Sequence, residues 1–161
     1  MSERITQEQI EQLVSKYPKL LLIIDSLDVY TRKTVAIQCG SGWLDLINAT
    51  LYSIQKYIDF CNRYTDNPVD QIKVHTISER AGSIRFYYYG IPNDVIDSKL
   101  DLAAEVSKTI CEISGNAGKT YAKNGWYKTL SKDLADMLGY EEDTYLIGDS
   151  SGADPTTVTG A

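Results

Sequence analysis

Ile72-Lys73-Val74-His75-Thr76-Ile77, Ser78-Glu79-Arg80-Ala81-Gly82 and Ser83-Ile84-Arg85-Phe86-Tyr87-Tyr88-Tyr89 follow one another, and their reading decides the fold. Residues 71–77 alternate, with Ile72, Val74 and Thr76 set against Lys73, His75 and Ile77. Residues 83–89 alternate too, with Ile84, Phe86 and Tyr88 set against Arg85, Tyr87 and Tyr89. A period of two marks a strand with one buried face. A five-residue link containing glycine, 78–82, joins the runs, which predicts an antiparallel β-hairpin. Arg85, Tyr87 and Tyr89 then share one face of the second strand, and Lys73 and His75 one face of the first. Cations and phenol rings on a common face can stack a planar ligand and grip a phosphate. The competing reading is a plain outer face, covered by tyrosines with the Arg85 stem lying along them.

Working outward, Gly40-Ser41-Gly42 breaks the chain before a helix predicted over about 43–62. There Trp43, Leu46, Ile47, Leu51, Ile54, Ile58 and Cys61 recur at steps of three and four. Ser41 is the expected N-cap, and Asp45 and Arg63 suit the two ends of the helix dipole. Residues 6–16 read as a short helix with a Thr6/Gln9 capping box, stopped by Tyr17-Pro18. Residues 19–24 fit either a strand or a helical turn, 25–31 a loop, and 34–39 a third strand. Beyond the hairpin, Gly90-Ile91-Pro92 ends it and Asn93 or Asp94 caps a helix predicted over about 94–113. Residues 114–125 read as a loop and 126–138 as a third sizeable helix with Gly139 as its C-cap. The expectation is an α+β fold: three main helices packed on an antiparallel hairpin, a candidate third strand and a short N-terminal helix. One domain is expected over 1–148 and a mobile tail over 149–161.

A chain of 161 residues fits one domain and buries enough surface to fold without a staple. Its formal charge of −6 repels phosphate backbones, so general duplex binding is disfavoured. Cys39, Cys61 and Cys111 are odd in number and widely spaced, which fits free thiols in a reducing compartment. The first residues carry no leader pattern, and the longest apolar run, Leu20 to Ile24, is too short to span a bilayer. A cytoplasmic location without a membrane partner is expected. Twelve tyrosines against two phenylalanines favour half-buried faces or a binding surface.

No catalytic constellation stands out. His75 is the only histidine, and no local motif pairs it with a cysteine. Asp25, Asp28, Asp45, Glu79 and Glu112 have nothing in their spacing that sets them apart from surface acids. Gly115-Asn116-Ala117-Gly118-Lys119-Thr120 ends like a phosphate-binding loop, but it follows a helix and its spacing is too short. Gly40-Ser41-Gly42 at a helix start exposes N–H groups that can hold an anion. One histidine and scattered cysteines do not make a zinc site. No cofactor is expected.

Four blocks occur in order: Gly40-x-Gly42-Trp43-x-x-Leu46-Ile47, then Glu79-Arg80-x-Gly82-Ser83-Ile84-Arg85-Phe86-Tyr87-Tyr88, then Cys111-Glu112-x-Ser114-Gly115-x-x-Gly118, then Gly125-Trp126-Tyr127-Lys128-Thr129-Leu130. Over about residues 38–135 this resembles a group of small phage and prophage proteins of undetermined role. Their pattern runs G-x-G-W-x-x-L-I, E-K-F-G-x-L-R-F-Y-Y, C-E-x-C-G-x-x-G and G-W-x-x-T-L-C. The resemblance implies a phage source and, in those relatives, a zinc knuckle. This chain keeps only Cys111; Ser114, Ser131 and Leu134 stand at the other ligand places. Serine is a poor zinc ligand and leucine is none, so no metal is expected. A contact of Leu134 with Ile113 or Trp126 is expected to close the loop instead.

These readings converge on a non-enzymatic phage accessory protein that sequesters or blocks a host or defence component. The partner is either a small anionic signalling nucleotide or a host protein. The expected ligand-binding residues are Arg85, Tyr87 and Tyr89 with Lys73, Arg80 and Lys119, helped by Lys123. The alternative is a nucleic-acid-binding module derived from a zinc-knuckle ancestor, using Lys119, Lys123 and Lys128 beside Trp126, Tyr121 and Tyr127. A homo-oligomer is expected, because a short ribbon leaves an unpaired edge.

Overall fold

The structure is a computed structural model that describes residues 4–21, 23–25 and 32–143. The expected loop at 25–31 lies outside the described residues except for Asp25, which ends a strand, and the expected tail at 149–161 lies outside them altogether. The elements in chain order are α1 (Gln7–Lys16), β1 (Ile23–Asp25), β2 (Arg32–Thr34), β3 (Ala36–Gln38), a 3-10 turn (Ser41–Trp43) and α2 (Leu44–Tyr64), followed by β4 (Lys73–Arg80), β5 (Ser83–Tyr89), α3 (Asp94–Ser107), β6 (Lys119–Lys123), β7 (Trp126–Leu130) and α4 (Lys132–Leu138). The fold is an α+β mixture, as the sequence predicts.

The central sheet has the order β3-β4-β5. β4 and β5 form the predicted hairpin, and β3 joins it as a parallel third strand with Ile37 beside Ile77. The hairpin link is shorter than the five residues predicted. Arg80 pairs with Ser83, which leaves only Ala81 and Gly82 in the turn, both at positive φ (51° and 79°). Two such residues are what a tight turn matched to the strand twist requires. Val74, Ile77, Ile84 and Phe86 point into the core, against α2 (Ile47, Leu51, Ile54, Ile58) and α3 (Ile96, Ala103). α1 adds Ile10, Leu13 and Val14, and its Thr6/Gln9 capping box forms as expected.

The predicted alternation in β4 is broken. The register shifts between Val74 and Thr76, so His75 is an extra residue in the strand. The phase therefore changes: Ile77 turns inward opposite Phe86, and Thr76 turns outward opposite Tyr87. Such bulges re-aim side chains and sharpen the strand's bend.

Three helix expectations need correction. Ser41 makes no capping hydrogen bond; the helix opens instead through the 3-10 turn. α3 stops at Ser107 and not at 113, because the chain must turn there to bring residues 110–115 against the start of α2. The predicted helix over 126–138 is two elements: residues 126–130 form strand β7, and only 132–138 are helical. β7 pairs with β6 in a second hairpin, turned at Asn124-Gly125 with φ 51° and 79°. A smaller core of Cys111, Tyr121, Leu130 and Ala135 lies beneath this hairpin. The hairpin docks on the tip of the first one, where the Thr129 hydroxyl donates to the Gly82 carbonyl at 2.6 Å.

Candidate functional site

The outward face of the central sheet brings most of the expected binding residues together. Opposite pairs place Lys73 beside Tyr89, Thr76 beside Tyr87 and Ser78 beside Arg85. Arg85 is exposed, and Tyr87 and Tyr89 are 40% and 60% exposed. None of the three is packed into the core. The bulge at His75 brings its imidazole onto this face, stacked on Tyr89 with ring centroids 4.3 Å apart and planes 26° apart. The His75 ring is also 6.3 Å from the Tyr87 ring. The His75 Nδ1 and the Thr76 hydroxyl lie 2.9 Å apart. His75 is therefore an organiser of the aromatic surface, a role that strand alternation alone does not reveal.

Lys73 is half-buried at one end of the face, and its ammonium donates to the Pro18 carbonyl at 3.3 Å. Arg80 is exposed at the other end, beside the Ala81-Gly82 turn. Lys119 belongs to a different sheet: it sits on β6 and pairs with Glu142 at 2.8 Å. That carboxylate raises the Lys119 ammonium above its usual range, and Lys119 lowers Glu142 in turn. The structure thus gathers Arg85, Tyr87, Tyr89 and Lys73 on one face, puts Arg80 at its end, and sets Lys119 elsewhere.

The basic-aromatic cluster of residues 119–128 is largely engaged in its own packing. Lys123 donates to the Leu138 carbonyl at 2.7 Å and lies 5.7 Å from the Tyr140 ring centroid. Tyr121 is buried. The Tyr127 hydroxyl donates to Asp143 at 2.8 Å, and this acceptor raises the phenol above its ordinary value. Trp126 is 75% exposed, so it does not close the 111–134 region; Ile113 and Leu134 do, both packed on the Cys111 cluster.

Of the carboxylates considered as catalytic, Asp28 lies outside the described residues, and Glu79 and Glu112 have structural partners. Glu79 accepts the Gly82 N–H at 2.7 Å, and Glu112 accepts the Gly40 N–H at 2.9 Å. The Gly40-Ser41-Gly42 segment therefore holds an anion of the chain's own. Among the described residues no group of three or more His, Cys, Asp or Glu is placed to hold a metal ion. No helix among them is long and apolar enough to cross a membrane.

A second exposed surface is not among the sequence expectations. Tyr52, Lys56, Phe60, Arg63 and Tyr64 on α2, with Lys16 from α1, line an open groove of about 380 Å³. Lys56 lies 5.6 Å from the Tyr52 ring centroid and Arg63 lies 5.7 Å from that of Tyr64, both within cation–π reach. The signal was readable: these residues recur at helical spacing on the face of α2 opposite its apolar stripe. No protein-family model, no curated protein and no solved structure matches this chain.

Proposed function

We propose that the chain is a non-enzymatic phage accessory protein that works in the host cytoplasm by binding, and so sequestering or blocking, a host or defence component. The observation that carries this reading is the exposed face of Arg85, Tyr87 and Tyr89, with His75 stacked beside them. A guanidinium next to exposed rings suits a ligand that is both planar and anionic, which favours a nucleotide. The face approaches its ligand from one side only, so it binds without enclosing. Enclosure and water exclusion are what most catalysis requires.

The nucleic-acid alternative has weaker support. Lys119 and Lys123 are engaged by Glu142 and the Leu138 carbonyl, and a net charge of −6 opposes a phosphate chain. A host protein is the second reading, favoured by the groove on α2, whose rings and cations resemble the composition of protein-binding patches. β5 is the outer strand of its sheet, which supports the expected symmetric dimer.

Calorimetry against cyclic and linear nucleotides tests the proposal. Binding by the wild type that disappears in Arg85→Ala supports it. No heat from any nucleotide removes the nucleotide version and leaves the protein-blocking version, tested by pull-down from host lysate with both chains. Chemical turnover of any bound compound overturns the proposal as a whole.

A further inference from the structure

The groove on α2 holds cations that the chain itself does not neutralise. Tyr52, Lys56, Phe60 and Tyr64 follow at steps of four and stand in one row, with Arg63 beside its end. At the rise of an α-helix the row is about 18 Å long. Tyr52, Phe60 and Tyr64 are each more than half exposed, on the side of the helix where charged and polar residues are the rule. The Phe60 and Tyr64 ring centroids lie 5.5 Å apart. The buried Tyr17 ring forms the floor, and the Lys16 ammonium lies 5.6 Å from its centroid.

Surface lysines elsewhere are matched within the chain: Lys108 by Glu105, Lys119 by Glu142 and Lys132 by Asp136. Among the described residues, Lys16, Lys56 and Arg63 pair with no carboxylate. Lys16 donates to the Asn48 side-chain carbonyl at 2.8 Å, and Asp59, which also lines the groove, accepts from Gln55 at 2.9 Å. A chain with a formal charge of −6 thus keeps a local surplus of positive charge among exposed rings. The complementary charge comes from a partner.

The rings favour a peptide over nucleic-acid bases. Lys56 stands over the Tyr52 ring and Arg63 over the Tyr64 ring, so one face of each ring is already taken by a cation. Base stacking needs open ring faces. Carboxylates need only the cations, and an apolar side chain needs only the Phe60 surface between them. A groove of this length accepts about three turns of a helix or about five residues of extended chain.

We infer that the α2 groove docks an acidic peptide segment of a partner protein, with Lys56 and Arg63 holding its carboxylates and Phe60 anchoring an apolar side chain. This rests on the reading of a host protein as partner and makes no use of the sheet face, so nucleotide calorimetry and peptide binding can fail separately.

Panning a random peptide library on the immobilised full chain, followed by fluorescence anisotropy with the enriched peptides, tests the inference. The enriched peptides are expected to carry several Asp or Glu residues around a large apolar one. Lys56→Glu/Arg63→Glu is expected to weaken their binding at least about tenfold, and so is Phe60→Ala. Lys108→Glu/Lys132→Glu makes the same change in net charge outside the groove and is expected to bind as the wild type does. The same peptides with Lys in place of Asp and Glu are expected to prefer the Lys56→Glu/Arg63→Glu chain to the wild type. No enrichment, a neutral or basic consensus, or equal weakening by the two charge reversals overturns the inference. Tighter binding of single-stranded oligothymidylate than of any peptide overturns it in favour of nucleic acid. Self-association of the wild type that Lys56→Glu/Arg63→Glu abolishes overturns it in favour of a second copy of the chain.

Discussion

Glu112 and Gly40 are joined across 72 residues of sequence: the buried Glu112 carboxylate accepts the Gly40 N–H at 2.9 Å. The Glu112 carbonyl accepts the neighbouring Gly42 N–H at 2.7 Å, and the Trp43 indole donates to the Ile110 carbonyl at 2.8 Å. Together these bonds seat the smaller core on the start of α2. They explain why α3 ends early and why glycine precedes α2.

The closeness of that seat predicts a large effect of Gly42→Ala. The added methyl would lie 2.2 Å from the Cys111 carbonyl oxygen and 2.5 Å from the Gly115 nitrogen, both backbone atoms that cannot swing away. Overpacking of this kind costs about 3 kcal/mol or more. Urea denaturation of the variant is expected to show that loss. Gly125→Ala, at φ 79° with nothing within 4 Å, is expected to lose only about 1 kcal/mol, the ordinary penalty for a left-handed alanine. Equal losses would contradict the steric account.

The first hairpin turn carries an alanine where its backbone favours asparagine or glycine. Ala81 is exposed with φ 51° and is followed by Gly82. Ala81→Asn recreates the Asn-Gly pair that turns the second hairpin. The variant is expected to gain about 0.5–1 kcal/mol, read as a raised melting temperature with binding unchanged.

Cys39 gives the stability a pH dependence of defined sign. Burial, followed by the charges of Glu112 and Glu79, pushes its thiol from an ordinary 9.0 up to about 12. The folded state keeps the proton, so this contribution is complete below about pH 9 and fades as pH rises toward about 12. Between about pH 8 and pH 10 it removes about 1.4 kcal/mol. Cys39→Ala is expected to lack this part of the decline, and equal pH slopes in the two chains would contradict it. Cys111 shifts the other way. Burial raises it, but hydrogen bonds from the Ser114 hydroxyl and from the N–H groups of Ser114, Ser131 and Ile113 outweigh burial and lower it.

Local signals were legible in the sequence and long-range ones were not. The Thr6/Gln9 box, the apolar stripe of α2, the Asn93 cap and the left-handed Gly139 cap each depend on a few adjacent residues, and all four appear. The second hairpin was misread, although Asn124-Gly125 between Tyr121 and Tyr127 is a strong turn signal; apolar residues from 126 onward hid the boundary at Ser131. The end of α3 is set by the Glu112 contacts, which lie far away in sequence. The alternation placed Arg85, Tyr87 and Tyr89 on one exposed face. It could not reveal the bulge that adds His75 to them, because a register shift is a property of two strands together.

The most direct test of the proposed binding face is affinity for a bound nucleotide, measured side by side in one calorimetric assay. Arg85→Ala/Tyr87→Ala is compared with Lys56→Glu/Arg63→Glu on the α2 groove and with the wild type. The sheet-face variant is expected to keep its melting temperature within about 2 °C and to lose at least about tenfold in affinity. The groove variant is expected to bind as the wild type does. Undiminished binding by the sheet-face variant, or a loss confined to the groove variant, would contradict the account.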